Sequence, residues 1–402
     1  MQKDVLSWSV ASPTDFHIEE CYSAIRERKN FGAGLIVPRG GVAMKIYGGS
    51  RSFYCYQSAP GMIPLYYLHR EGEIHVSQSY LSMKRFAKAN GFKIKDIVQC
   101  KEGIGYHLSA KGLRRYVLDV IGRVSGWEKA SMDECANELL KRLVDAAMFL
   151  KIETERPVVT TISGGSDGLL TALALKLAGV KQVCVCVGRS EDDFDPSYAR
   201  KYAEQLGLDY RFLPLPSDDE GLSALLRATL ERIEMTDYSN VLMGMCNMVV
   251  AQFAESIGAE WVAAADLADV VLGNDIMTTG KFLKEVAEPT ALKWARYRMD
   301  HQLYTLPNNL MVYKVFDPLR TSDLFVNRDV LEFLLGLSLE VTPPETRKPL
   351  YYHLLDRYVT GGSWHDQKKK VGFYTGAGIG KIRLENPILQ DENIRAVMAT
   401  IE

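Results

Sequence analysis

The chain has 402 residues, enough for two or three domains with cores of their own, so it is no single small binding module. Its 48 Lys and Arg against 50 Asp and Glu leave a formal net charge of −2, which excludes a global basic field for general nucleic-acid binding. With 47% hydrophobic and 24% charged residues, the composition is that of a globular protein and excludes a disordered or collagen-like chain. The cysteines, at 21, 55, 100, 135, 184, 186 and 246, are scattered without a C-x-x-C pair and fit a reducing compartment. The start Met1-Gln2-Lys3-Asp4 lacks the apolar core of a signal peptide. The most apolar long stretch, residues 241–253, is broken by Gly244, Asn247 and Gln252 and is too short to span a bilayer. The expectation is a cytoplasmic protein without a membrane partner.

Residues 1–126 read as one β-rich α+β domain. Short alternating runs at 34–38, 42–47, 52–56, 64–69 and 73–77 predict strands, the last two joined by the turn Arg70-Glu71-Gly72, and 81–89 predicts a helix. The texture changes between Gly122 and Ala130, and 127–402 reads as a second domain. Ser131 caps a predicted helix over 132–151. Strands are then expected at 158–162, 182–187, 210–215 and 261–265. Helices are expected at 169–178, 197–206 and 241–257, each stopped by a glycine, Gly179, Gly207 or Gly258. The continuous apolar run Val183-Cys184-Val185-Cys186-Val187 suits a parallel strand covered on both faces, so this βαβ series predicts a doubly wound α/β sheet. From about 280 onward the pattern is mainly helical.

The stretch Ser163-Gly164-Gly165-Ser166-Asp167-Gly168 lies between a β-branched strand and a helix, where parallel sheets hold their ligands. Paired glycines there let the backbone bend tightly and turn N–H groups outward beside the positive end of the helix. That arrangement binds phosphate oxygens, and Asp167 can hold the accompanying Mg²⁺. A plain βα turn of the same composition remains the alternative. The segment is not a Walker loop, and Gly376-Ala377-Gly378-Ile379-Gly380-Lys381 fails that spacing too.

The loop resembles the S-G-G-x-D-S signature of the pyrophosphatase-loop ATP enzymes, with Gly168 at the place of the last Ser, so that one hydroxyl contact to phosphate is either missing or supplied elsewhere, for instance by Ser166. Within that group the chain is similar to the asparagine synthetase family, which includes β-lactam synthetases and lasso-peptide cyclases. The segment from Ala264 to Gly273 resembles the family's S-G-E-G-A-D-E-L-F-G element. By that resemblance Asp269 joins Asp167 in coordinating Mg²⁺, and Asp266 deprotonates an attacking amine. As residues alone, Asp266 and Asp269 read equally as helix caps. Arg347-Lys348-Pro349-Leu350 and Lys370-Val371-Gly372-Phe373 resemble the K-x-x-L and K-x-G-F elements. The resemblance gives Lys348 and Lys370 the growing charge on the α-phosphate and the departing pyrophosphate. Without that context, Lys368 to Lys370 are a solvated charge run. Val187 and Gly188 end a strand where the family rests the adenine, and Asp195 opens a segment similar to its D-x-x-x-A-R helix.

The elements Pro64 to Tyr67, His75 to Ser79 and Glu102 to Tyr106 resemble the family's glutaminase domain, but residue 2 is Gln, where a working glutaminase carries its nucleophilic Cys. The resemblance therefore implies a degenerate N-terminal scaffold followed by an ATP pyrophosphatase domain. The activity it implies is amide-bond formation between a small-molecule or peptide carboxylate and an amine, with ATP and Mg²⁺ as cofactors and ATP converted to AMP and pyrophosphate. Two alternatives stay open: adenylation of a carbonyl or amide for sulfur or nitrogen insertion, and a nucleotide-binding scaffold without chemistry. A homodimer is compatible with the sequence.

Overall fold

The computed structural model describes residues 6–9, 45–49, 52–56, 66–70, 73–77, 79–101, 104–109, 112–117, 125–127, 129–265, 268, 314–316, 319–338, 340–342, 348–362 and 376–401. These fall into two compact units, the first mainly within Val37–Ile121 and the second mainly within Gly122–Met398.

The first unit carries two antiparallel four-stranded sheets. One pairs β1 (Leu6–Ser9), β5 (Glu73–Ser77), β4 (Tyr66–Arg70) and β6 (Val98–Gln99) in that order. The other pairs β2 (Lys45–Gly49), β3 (Ser52–Tyr56), β7 (Ile104–Ser109) and β8 (Gly112–Val117). Alternation along β4 divides its side chains between two faces. Tyr66 and Leu68 pack with Met83 and Ala87 of α1 (Tyr80–Ala89). Tyr67, on the opposite face, meets Tyr106 of β7 with ring centroids 5.1 Å apart and accepts a 2.9 Å hydrogen bond from Arg115 of β8. Strands β7 and β8 escaped the sequence reading, because Gly105, Gly112 and the adjacent Arg114 and Arg115 blur their alternation, and the short β1 and β6 were not expected either.

The second unit begins with α2 (Met132–Glu153). Ser131 closes a capping box there: its hydroxyl accepts from the Glu134 N–H, and the Glu134 carboxylate accepts from the Ser131 N–H. Five parallel strands follow: β9 (Val158–Thr161), β10 (Gln182–Gly188), β11 (Tyr210–Pro214), β12 (Trp261–Ala264) and β13 (Arg320–Asp323), in the order β11-β10-β9-β12-β13. All four residues of β12 and the last five of β10 are buried, as expected for strands covered on both faces. The covering helices include α3 (Ser166–Ala178), α4 (Phe194–Leu206) and α6 (Tyr238–Ser256). Ala172 of α3 and Ala199 and Ala203 of α4 meet Cys184 and Cys186 of β10 in one cluster.

Two elements of this unit differ from expectation. Helix α5 (Asp219–Ile233), capped by Asp218 and ending at Glu234 in the left-handed region, precedes α6 where one helix was expected. Strand β13 lies in the stretch read as helical, since Arg320-Thr321-Ser322-Asp323 has no apolar run to mark it. Helices α7 (Arg328–Gly336), α8 (Pro349–Leu355), α9 (Ile379–Glu385) and α10 (Asp391–Ile401) follow. Among the described residues no helix is long and apolar enough to cross a membrane.

The core role of α2 is testable. Leu139 is fully buried and Ile152 is 78% exposed on the same helix. Leu139→Ala is expected to lower unfolding free energy in urea by about 2–5 kcal/mol, whereas Ile152→Ala is expected to stay within about 0.5 kcal/mol of the parent.

Candidate functional site

The strand order places β9 beside β12 where the winding of the sheet reverses: β10 and β11 lie to one side of β9, β12 and β13 to the other. Loops leaving the carboxyl ends of two such strands diverge and open a crevice between them. Ser163 to Gly165 leave β9 at this point and lead into α3. Gly165 is the N-cap of α3 and provides no side-chain cap, so the first-turn amides and the positive end of the helix lack a capping side chain beside the carboxyl end of β9.

Within the loop, the two glycine amides turn inward. The Gly164 N–H donates to Asp195 Oδ1 at 3.2 Å and the Gly165 N–H to Ser163 Oγ at 3.1 Å. The expectation that both point outward is therefore not met in this state. Ser166 is buried, and its hydroxyl donates to Asp167 Oδ1 at 3.0 Å instead of facing the loop's mouth. Gly168 answers a packing demand: a Cβ there would lie 2.5 Å from the Thr161 carbonyl oxygen and 3.2 Å from Ile162 Cα. At that position the family's serine would push α3 away from β9.

Asp167 Oδ2 forms an ion pair with Lys348 Nζ, whose residue comes 181 positions later and is fully buried. Lys348 is the N-cap of α8, which packs on α2 and α3, and its ammonium also lies 5.8 Å from the centroid of the Tyr351 ring. The Tyr351 hydroxyl in turn donates to the carbonyl of Ala268, just beyond β12, at 3.3 Å. Lys348 adopts φ +46°, ψ +47° immediately before Pro349. A β-carbon resists the left-handed region and a following proline disfavours helical geometry, so the ring, the helix and the carboxylate hold the lysine in a conformation it would not choose.

The ends of β10 and α4 border the same loop. Val187 and Gly188 are buried. The Gly188 carbonyl accepts from Leu215 N–H at 2.9 Å and the next amide, of Arg189, donates to the Ala377 carbonyl at 3.1 Å. Gly188 admits the Pro196 ring of α4, which a Cβ would meet at 2.7 Å. The segment Gly376 to Gly378, dismissed on spacing as a phosphate loop, thus lies against the end of β10. Asp195, which the sequence marks only as the start of a D-x-x-x-A-R-like helix, and the Gly376 to Gly378 segment carry no site role in the sequence reading; the available signal was a carboxylate in the first turn of the helix after β10.

Asp266, Asp269 and Lys370 lie outside the described residues. Among the described residues no three His, Cys, Asp or Glu side chains group to hold a metal. Cys184, Cys186 and Cys246 are all buried. Burial, with the Asp209 charge adding to it, pushes the Cys184 thiol up to about 12, and burial beside the Asp195 carboxylate raises Cys186 and Cys246 as well.

No protein-family model matches the chain, and no curated protein matches it. Among solved structures it is similar to an NMN synthetase from Francisella tularensis, with a TM-score of 0.26 and 15% identity over 63% of this chain and 92% of that one. It is also similar to the glutamine phosphoribosylpyrophosphate amidotransferase of B. subtilis complexed with ADP and GMP, with a TM-score of 0.17 and 12% identity over 43% of this chain. The match spans 32% of that amidotransferase. Likeness at this level carries no argument about activity, which has to come from the site itself.

Three outcomes are expected from this geometry. Gly168→Ala should lower stability in urea by about 1–3 kcal/mol, the range of an overpacked contact. The three buried thiols should resist iodoacetamide at pH 8 and label fully in denaturant. Because an unfolded thiol ionises near its ordinary value of 9 and the folded Cys184 thiol only near 12, the unfolded chain sheds the proton first. Stability should therefore fall as pH rises through that window, and Cys184→Ala should flatten the fall.

Proposed function

We propose that the second unit is an ATP-dependent ligase site of the asparagine synthetase-like, pyrophosphatase-loop kind. In this reading it adenylates a substrate carboxylate and passes the acyl group to an amine. One observation carries it: a buried lysine and a carboxylate from distant parts of the chain meet at the uncapped N-terminus of α3, beside the crevice of a parallel sheet. A buried ammonium is costly, and a site without anionic cargo would gain more from an apolar side chain there. The same ammonium next to a triphosphate offsets charge that grows as the leaving group departs.

The first-turn amides of α3 would receive phosphate oxygens, with Ser163 adding a hydroxyl. Mg²⁺ binds through phosphates, waters and only one or two carboxylates, and Asp167, whose side chain is 20% exposed, fits that role with Asp269 as the second ligand. The ion would neutralise part of the triphosphate charge. A substrate carboxylate oxygen then attacks the α-phosphorus as the bond to the pyrophosphate oxygen breaks near Lys348 and Lys370. The amine nitrogen attacks the acyl carbon, the bond to the AMP oxygen breaks, and the amine proton passes to Asp266. Holding both reactants in one crevice makes the second step effectively unimolecular. The buried, raised thiols supply no accessible thiolate for sulfur transfer among the described cysteines, which favours amide formation over the sulfur alternative.

Lys348→Met keeps the volume and removes the charge, leaving the partly exposed Asp167 to water. With ATP, Mg²⁺ and a panel of carboxylates and amines, the parent is expected to release AMP and pyrophosphate. The variant should lose that release by about 100-fold or more while melting within a few degrees of the parent. ADP and orthophosphate as products, or undiminished release from the variant, would reject the reading.

A further inference from the structure

We propose that Asp195 is a positioning residue that shapes the phosphate loop by joining it to the Gly376–Gly378 bend. The proposal deepens the ligase reading and rests on it. Asp195 sits in the first turn of α4 and is 5% exposed. Its Oδ1 accepts the Gly164 N–H at 3.2 Å, and the neighbouring Phe194 ring closes on the same glycine, where a Cβ would lie 2.9 Å from Phe194 Cε1. On its other side the carboxylate abuts Gly376, whose added Cβ would overlap both carboxylate oxygens.

The bend is seated at two further points on the same stretch of chain. The Ala377 carbonyl accepts the Arg189 N–H at 3.1 Å, and Gly378, at φ +71°, offers a Cβ direction that ends 2.5 Å from Asp193 Oδ2. Two glycine segments some 200 residues apart thus both crowd one buried carboxylate.

A carboxylate is an unexpected choice beside a loop meant for phosphates, since like charges repel. Its position explains it. The negative charge is favourable at the positive end of α4, and it draws the Gly164 amide inward with a charge-assisted bond. With that peptide pinned, the backbone leaving β9 enters α3 in one orientation, and the amides offered to an anion are those of Ser166 to Gly168. Without the acceptor, that restraint on the Gly164 peptide is lost, and glycine admits orientations that a side chain would resist. The competent loop is then only a fraction of the population, and apparent affinity falls by that fraction.

Three variants of the full chain separate this role from filling space or binding metal. Asp195→Ala removes the acceptor, Asp195→Asn keeps it without the charge, and Gly376→Ala displaces it. Hydrogen exchange of the 162–168 segment, measured without ligand, should quicken in Asp195→Ala and Gly376→Ala and stay near the parent rate in Asp195→Asn. Titration calorimetry with ATP and Mg²⁺ should show about ten-fold weaker binding in the first two and no more than about three-fold in Asp195→Asn. The double variant Asp195→Ala/Gly376→Ala should be no weaker than Asp195→Ala, because both act through one bond. Unchanged exchange in Asp195→Ala overturns the proposal whatever the nucleotide does. So does Asn binding as poorly as Ala, which would assign the role to charge, or recovery of parental affinity in the double variant, which would assign it to space. A parent that binds no ATP defeats the ligase reading separately, and the exchange rates still decide the role of Asp195.

Discussion

A lysine ammonium with no access to water has to be matched by a negative charge, and in this protein the match is Asp167. Taking the carboxylate away would strip a partner from a buried ammonium, which is costly, whereas taking the lysine away leaves Asp167, whose side chain is 20% exposed, to water. The pair ties α8 to the first turn of α3. It also stores strain, since Lys348 is held in the left-handed region ahead of a proline at a cost of about 1–3 kcal/mol.

The rest of the site follows from how closely the backbone segments approach. Gly168 lets α3 lie directly on the end of β9, Gly188 lets α4 bring Pro196 against β10, and Gly164 admits Phe194 and Asp195. These glycines serve contact between chain segments more than exposure of amides, and the loop's own N–H groups are drawn inward by Asp195 and Ser163. At the start of α3 the positive end of the helix coincides with amides that no side chain caps.

Much of this was legible in the residues. The βα alternation from Val158 to Ala264, the cap at Ser131 and the glycine stops at 179, 207 and 258 each follow from local chemistry. The loop's position after a β-branched strand was legible for the same reason. Strand β13 was not, because a strand of Arg, Thr, Ser and Asp is made by its neighbour's ladder: Trp261 to Ala264 pair with it residue by residue. Helix α5 was missed where its short acidic entry, Asp218 to Glu220, resembled loop continuation. The part of Asp195 was hidden for a different reason, since one Asp among Glu191, Asp192 and Asp193 reads as solvated until the fold buries it.

The sequence by itself determined where a glycine-bearing bend and a parallel βα sheet occur, because turn chemistry, caps and strand burial act over a few residues. Only the tertiary structure decided that Lys348 meets Asp167 across 181 positions, and that Asp195 stands between Gly164 and Gly376. It also decided that Gly168 is dictated by a carbonyl of the preceding strand. Such pairings depend on which buried charges and bare backbone surfaces packing brings together, and no local pattern along the chain encodes that distance.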